Sequence, residues 1–156
     1  MTTLHDYDGV VTQRDNESVY VDDSLDDDLS EEDIHKGGFS FGMIYPAKGL
    51  ELFPLIRSKQ INQRDVSVLF AMMCLCDVRT GRIRFMVKNL AEEFGIVANS
   101  LSSSLSRLKK VKLIAPFQES NGGRYFLVNP RLFSVGGYNK RKYLIHKFDS
   151  AFEDEN

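Results

Sequence analysis

Residues 87–112 read VKNLAEEFGIVANSLSSSLSRLKKVK. Leu90, Ala91 and Phe94 share one helical face while Lys88, Glu92 and Glu93 face away, which predicts a short amphipathic helix opening at about Val87. Gly95 occupies the position where a left-handed helix cap belongs. After Ile96 a second periodic run extends from about Ala98 to Val111, placing Leu101, Leu105 and Leu108 at i, i+4 and i+7. Its other face carries Asn99, Ser103, Ser106, Arg107 and Lys110. Two amphipathic helices joined by a tight glycine turn are the centre of the fold.

Upstream, Asn62 followed by Asp65 gives a capping pair, and Ile61 facing Val66 gives a hydrophobic staple, so a helix is predicted from Asn62 to about Cys76. The density of Val66, Leu69, Phe70, Met73 and Leu75 suits a central buried helix, with the methionines as packing. A turn at Arg79-Thr80-Gly81 leads into Arg82 to Phe85, whose alternation predicts a short strand. Downstream, Leu113 to Gln118 and Tyr125 to Val128 are strand-forming segments around the turn pair Asn121-Gly122, a β-hairpin. Pro116 requires an edge position or a lost rung in the first of them. From Tyr138 to Phe152, Leu144, Phe148 and Phe152 recur every four residues beside Lys140, Arg141, Lys142 and Lys147, an amphipathic terminal helix.

The charges are sorted along the chain. Residues 1 to 35 hold twelve Asp or Glu and one basic residue, Arg14, whereas residues 36 to 148 hold nineteen Lys or Arg against six acids. Four more acids follow, so a whole-chain net charge of −2 conceals a basic body between acidic ends. Such a body is the electrostatic footprint of a polyanion binder, because Lys or Arg on phosphate releases condensed counterions. Asp22 to Asp33 places eight acids in twelve positions, too few apolar groups to offset the entropy of ordering. The chain therefore divides into an acidic, disordered segment 1–36, a folded domain 37–136 beginning near Phe39 to Tyr45, and a terminal helix with an acidic end, 137–156. Within the first segment, Val19-Tyr20-Val21 can form a short strand or docking motif and Leu29 to Ile34 a turn of helix.

The order helix, short strand, helix, tight turn, helix, β-hairpin is that of a winged helix-turn-helix, mainly α with a small β-hairpin (α+β). Leu90-Ala91-Glu92-Glu93-Phe94-Gly95-Ile96, Asn99-Ser100-Leu101-Ser102 and Leu108-Lys109-Lys110-Val111-Lys112-Leu113-Ile114 resemble the helix-turn-helix of bacterial winged-helix transcription regulators. With Arg82-Ile83-Arg84, Tyr125 and Asn129-Pro130-Arg131-Leu132-Phe133, residues 45 to 136 also resemble RepL-type plasmid replication proteins. The resemblance implies binding of double-stranded DNA, in transcription regulation or as a replication initiator. It places the second helix in the major groove, its first residues at base edges. The candidate DNA-binding residues are then Asn99, Ser100, Ser102, Ser103, Ser106 and Arg107 on that helix, Lys109, Lys110 and Lys112 at its end, and Arg124 in the wing. Asn99 suits adenine and Arg107 a phosphate or guanine. Arg82, Arg84 and the cluster near Lys140 add charge. Val97 departs from the family pattern, in which a Ser or Thr cap is usual, and cations are scarce in the first helical turn.

Catalysis is not expected. His5, His35 and His146 lack ligand spacing, Cys74-x-Cys76 is a poor metal site better read as reduced and buried thiols, and Gly-rich phosphate loops are lacking. No cofactor or metal is therefore expected. With no signal-like or membrane-spanning apolar run, a cytoplasmic location follows. The terminal stripe Leu144, Phe148 and Phe152 either packs on the domain or joins two copies into a homodimer. The competing function is a protein-interaction module, docking a partner such as a polymerase through the winged domain and the acidic tail.

Overall fold

Asn62 opens the first long helix. In the computed structural model, which describes residues 42–153, its side chain accepts from the Asp65 backbone N–H, while the Asp65 carboxylate accepts from the Asn62 N–H at 2.9 Å. This reciprocal cap begins a helix that runs Gln63–Cys74, two residues shorter than its apolar pattern suggested. The architecture is mixed α+β. Along the chain come β1 (Gly42–Ile44), α1 (Pro46–Leu50), α2 (Leu52–Arg57), α3 (Gln63–Cys74), α4 (Val87–Phe94), α5 (Ala98–Lys110), β2 (Ile114–Gln118), β3 (Arg124–Val128), β4 (Phe133–Val135) and α6 (Tyr138–Ser150). The acidic segment 1–36, with its proposed strand and helical turn, lies outside the described residues.

The α4–α5 turn forms as its residues dictate. Gly95 adopts φ 66°, and the Ile96 N–H reaches back to the Ala91 carbonyl at 3.0 Å, closing the helix end. Leu90, Ala91, Leu101, Leu105 and Leu108 then meet Val68, Leu69 and Met72 of α3 in one core. The hairpin pairs Ile114 with Val128 through Gln118 with Arg124. The expected strand at Arg82 to Phe85 contracts to a single antiparallel bridge, Ile83 to Phe126, on the other edge of β3. Ile83 is fully buried and stacked rings of Phe85 and Phe126 lie beside it, so one residue suffices to anchor the segment.

Two features were not anticipated. The short helices α1 and α2 precede α3, and β1 pairs antiparallel with β4 in a second two-stranded sheet. The terminal helix forms as expected, and its stripe is used within the chain: Leu144 and Phe148 pack with Ala115, Tyr125, Leu127 and Val135. Arg131 holds Asp149 through two hydrogen bonds of 2.8 Å. α6 is thus integral to the body.

The α3 surface corrects the picture of a wholly buried helix. Phe70 is 61% and Leu75 45% exposed, because the core is filled by Val68, Leu69 and Met72 one step around the helix. Together with Val66, Leu90 and Phe94 they line an open apolar groove of about 680 Å³. Cys74 is exposed on this groove, not buried as expected. Cys76 is partly buried, and burial with the nearby Asp77 charge pushes its thiol up to about 12, so it stays protonated.

Candidate nucleic-acid interface

Burial of Leu101, Leu105 and Leu108 leaves the other face of α5 in solvent, and 3.6-residue periodicity decides what that face contains. Asn99, Ser102, Ser103, Ser106, Lys109 and Lys110 are exposed on it, and Ser100 is half-buried. The Ser103 hydroxyl donates to the Asn99 carbonyl at 2.9 Å, leaving its oxygen free to accept. Val97 and Ala98 are exposed at the N-terminal tip, where no side chain caps the helix. The face is a neutral, hydrogen-bonding stripe ending in two lysines about 15 Å along the axis at 1.5 Å per residue.

Arg107 and Ser104 do other work. The Arg107 Nε and Nη2 each donate to the Asp65 carboxylate at 2.8 Å, and Nη2 also reaches the Ser104 hydroxyl. Asp65 and Ser104 are fully buried. Arg107 was expected to meet a phosphate or a guanine; its fork is held by Asp65 of α3 and ties α5 to that helix. Burial pushes the Asp65 carboxyl up, but the hydrogen bonds from Arg107, Ser104 and the Asn62 backbone, with the Arg107 charge, hold it below the usual carboxylate range.

At the end of α5, Lys112 takes φ 58° and the Leu113 N–H bonds the Leu108 carbonyl at 2.9 Å, the same closure that glycine makes at Gly95. The Lys112 ammonium lies 5.3 Å from the Phe152 ring centre. Across the hairpin, Gly122 at φ 84° and the Glu119 N–H to Gly123 carbonyl bond of 2.7 Å form the tip. Arg124 is exposed beside it and forms no ion pair among the described residues.

The hairpin root is a cluster that its residue types did not reveal. Arg82 and Arg84 both pair with Glu119, the former at 2.9 Å. Both guanidiniums and the Lys147 ammonium lie over Tyr125, 4.8, 5.8 and 5.8 Å from its ring centre, and Phe117 stacks on the same ring at 5.3 Å. The hydrogen bond from Arg84, then the two guanidinium charges, hold the Glu119 carboxyl below its usual value. Glu119 carried no signal in the sequence, since 35 and 37 residues separate it from its partners. The basic cluster near Lys140 is tied into the fold: the Lys140 ammonium donates to the Arg79 carbonyl, and Arg141 lies 3.7 Å over the Tyr45 ring.

Neither family models, curated proteins nor solved structures match this chain. The geometry must carry the functional argument. Among the described residues no three His, Cys, Asp or Glu gather as metal ligands, and no helix is long and apolar enough to cross a membrane. What the exposed face offers is amide and hydroxyl groups on one side of a helix, with cations at its end and in the adjacent hairpin.

Proposed function

We propose that this protein binds double-stranded DNA as a winged helix-turn-helix, with α5 in the major groove and the β2–β3 hairpin as its wing. The observation that carries the proposal is the composition of the α5 solvent face, within the order α3, Ile83 bridge on β3, α4, α5, hairpin. In this reading Asn99 pairs bidentately with adenine, and the exposed Val97 and Ala98 meet a thymine methyl. Ser102, Ser103 and Ser106 approach the backbone closely, while Lys109, Lys110, Lys112 and Arg124 neutralise phosphates. The role is that of a transcription regulator or, following the RepL-type resemblance of residues 45 to 136, a replication initiator.

Asn99→Ala tests the proposal. Against a duplex selected from random sequence it should weaken binding by about 1–3 kcal/mol, with a much smaller effect on unselected duplex. Equal loss on both would remove α5 from base recognition.

The apolar groove of Phe70, Leu75 and Phe94 favours a second reading, protein docking. Phe70→Ser separates the two: a docking module loses its partner with duplex binding untouched, whereas a DNA-only protein keeps its cellular function.

A further inference from the structure

Phe70 stands 61% exposed on α3, while Val68, Leu69 and Met72 of the same helix are fully buried. The groove around it is built mainly from this one helix. At 3.6 residues per turn, Ser67 and Cys74 fall on the midline of the α3 surface that lines the groove, with Val66 and Phe70 on one flank and Ala71 and Leu75 on the other. Two small side chains on the midline let a second helix approach closely. A large side chain on one flank beside an alanine at the same height on the other makes the shape self-complementary. Turned end for end about an axis between Phe70 and Ala71, a second α3 sets each Phe70 beside the other's Ala71 and each Ser67 opposite the other's Cys74. That axis is also the midpoint of Val66 to Leu75, so one twofold covers the whole face.

Charge agrees with the antiparallel sense. α3 carries a cation in its first turn, Arg64, exposed on the flank of Ala71 and Leu75, and has no basic residue in its last turn. Within one chain the helix dipole favours the reverse. In the antiparallel pair each Arg64 lies by the C-terminal carbonyls of the other α3, and the exposed Asp77, whose charge also acts on Lys140, follows three residues after that helix ends.

We propose that the α3 groove is the contact between two copies of this chain, packed as antiparallel α3 helices across a twofold axis. The stripe of α6 is not available for this role, since Leu144 and Phe148 are buried within the body. No residue lining the groove lies on α5, so the pairing goes beyond the DNA-binding reading and stands apart from it. A face about 14 Å long and two helices wide is smaller than the ~800 Å² per partner of stable assemblies, which makes the pair concentration-dependent.

The test uses the full-length chain and its Ser67→Cys, Phe70→Ser and Arg64→Glu forms, all changed at exposed positions and compared first by thermal melting. Sedimentation velocity between about 5 and 500 µM should show the native chain passing from monomer to dimer, the weak association expected of so small a face. Phe70→Ser should abolish it. Arg64→Glu should weaken it about tenfold at low salt, and less as salt screens the exposed charges. With a disulfide-forming oxidant, Ser67→Cys should join position 67 to Cys74 of the other copy, read by mass spectrometry of the linked peptides. Cys76 does not compete, its thiol being held protonated. The native chain should not cross-link, because its two Cys74 lie about 10 Å apart along the axis, beyond the ~7 Å Cα limit of a disulfide. A native chain that stays monomeric at the upper concentration would overturn the proposal: Phe70 ring contacts to residues 1–36 of the same chain would then assign the groove to that segment, and their absence to a different protein. Dimers that survive Phe70→Ser, or Cys74-to-Cys74 linkage in the native chain, would overturn this face or this orientation.

Discussion

Asp65 joins two jobs in one buried carboxylate: it completes the α3 cap and anchors the Arg107 fork from α5. Removing Arg107 would leave a buried charge without its partner, a change that costs 3–5 kcal/mol at fully buried sites. Because the Arg107 side chain is itself 36% exposed and water can enter, the expected loss for Arg107→Ala is about 2 kcal/mol by urea unfolding. Acid should act through the same carboxylate. Its folded-state value is depressed, so its contribution is complete above the unfolded value near 3.8 and is lost as pH falls through the lower folded value. Asp149, held down by its Arg131 hydrogen bonds, behaves alike. Melting temperature should therefore drop as pH falls below about 4, and Asp65→Asn, though less stable at pH 7, should show a shallower drop.

The ends of α4 and α5 close in the same way, once with glycine and once with lysine, and this difference is measurable. Gly95→Ala places a side chain at φ 66° with no atom near enough to clash, so only the backbone penalty of about 1 kcal/mol should appear. Lys112→Gly relieves the same penalty and should stabilise by no more than about 0.5 kcal/mol after the extra unfolded-state entropy of glycine is subtracted. It should also weaken duplex binding, since a cation is lost. Val97→Thr supplies the missing α5 cap and should add about 1 kcal/mol of stability. These local signals explain why α3, α4, α5, the hairpin and α6 were legible in the sequence: periodicity, the Asn62–Asp65 cap, Gly95 and Asn121-Gly122 are all short-range. β1 and β4 were not, because their pairing joins Gly42 to Val135 and each contributes three residues without alternation strong enough to declare a strand. The exposed stripe of α5 was read correctly from its period, but Arg107 was assigned to that stripe because the buried acid it meets lies 42 residues away on another helix. The root cluster around Tyr125 was hidden for the same reason.

At the scale of the whole molecule, the sorting of charge governs behaviour. The described body carries exposed cations at the α5 end and hairpin among others, while twelve acids and one arginine lie in residues 1 to 35. A covalently linked polyanion competes with DNA phosphate at high effective concentration, and the competition weakens as salt shortens the Debye length. Neutralising the eight acids between residues 22 and 33 to their amides should thus tighten unselected-duplex binding at about 50 mM salt far more than at 200 mM. Equal affinities of the two chains at both salts would remove this competition. The central claim, that the basic body grips a duplex through phosphates, is tested most directly by the salt dependence of the native full-length chain. With about four phosphate contacts, from Lys109, Lys110, Lys112 and Arg124, affinity for a short mixed-sequence duplex should fall about 100-fold between 50 and 200 mM salt. Absent binding at the lower salt, or an affinity that stays flat across that range, would contradict it.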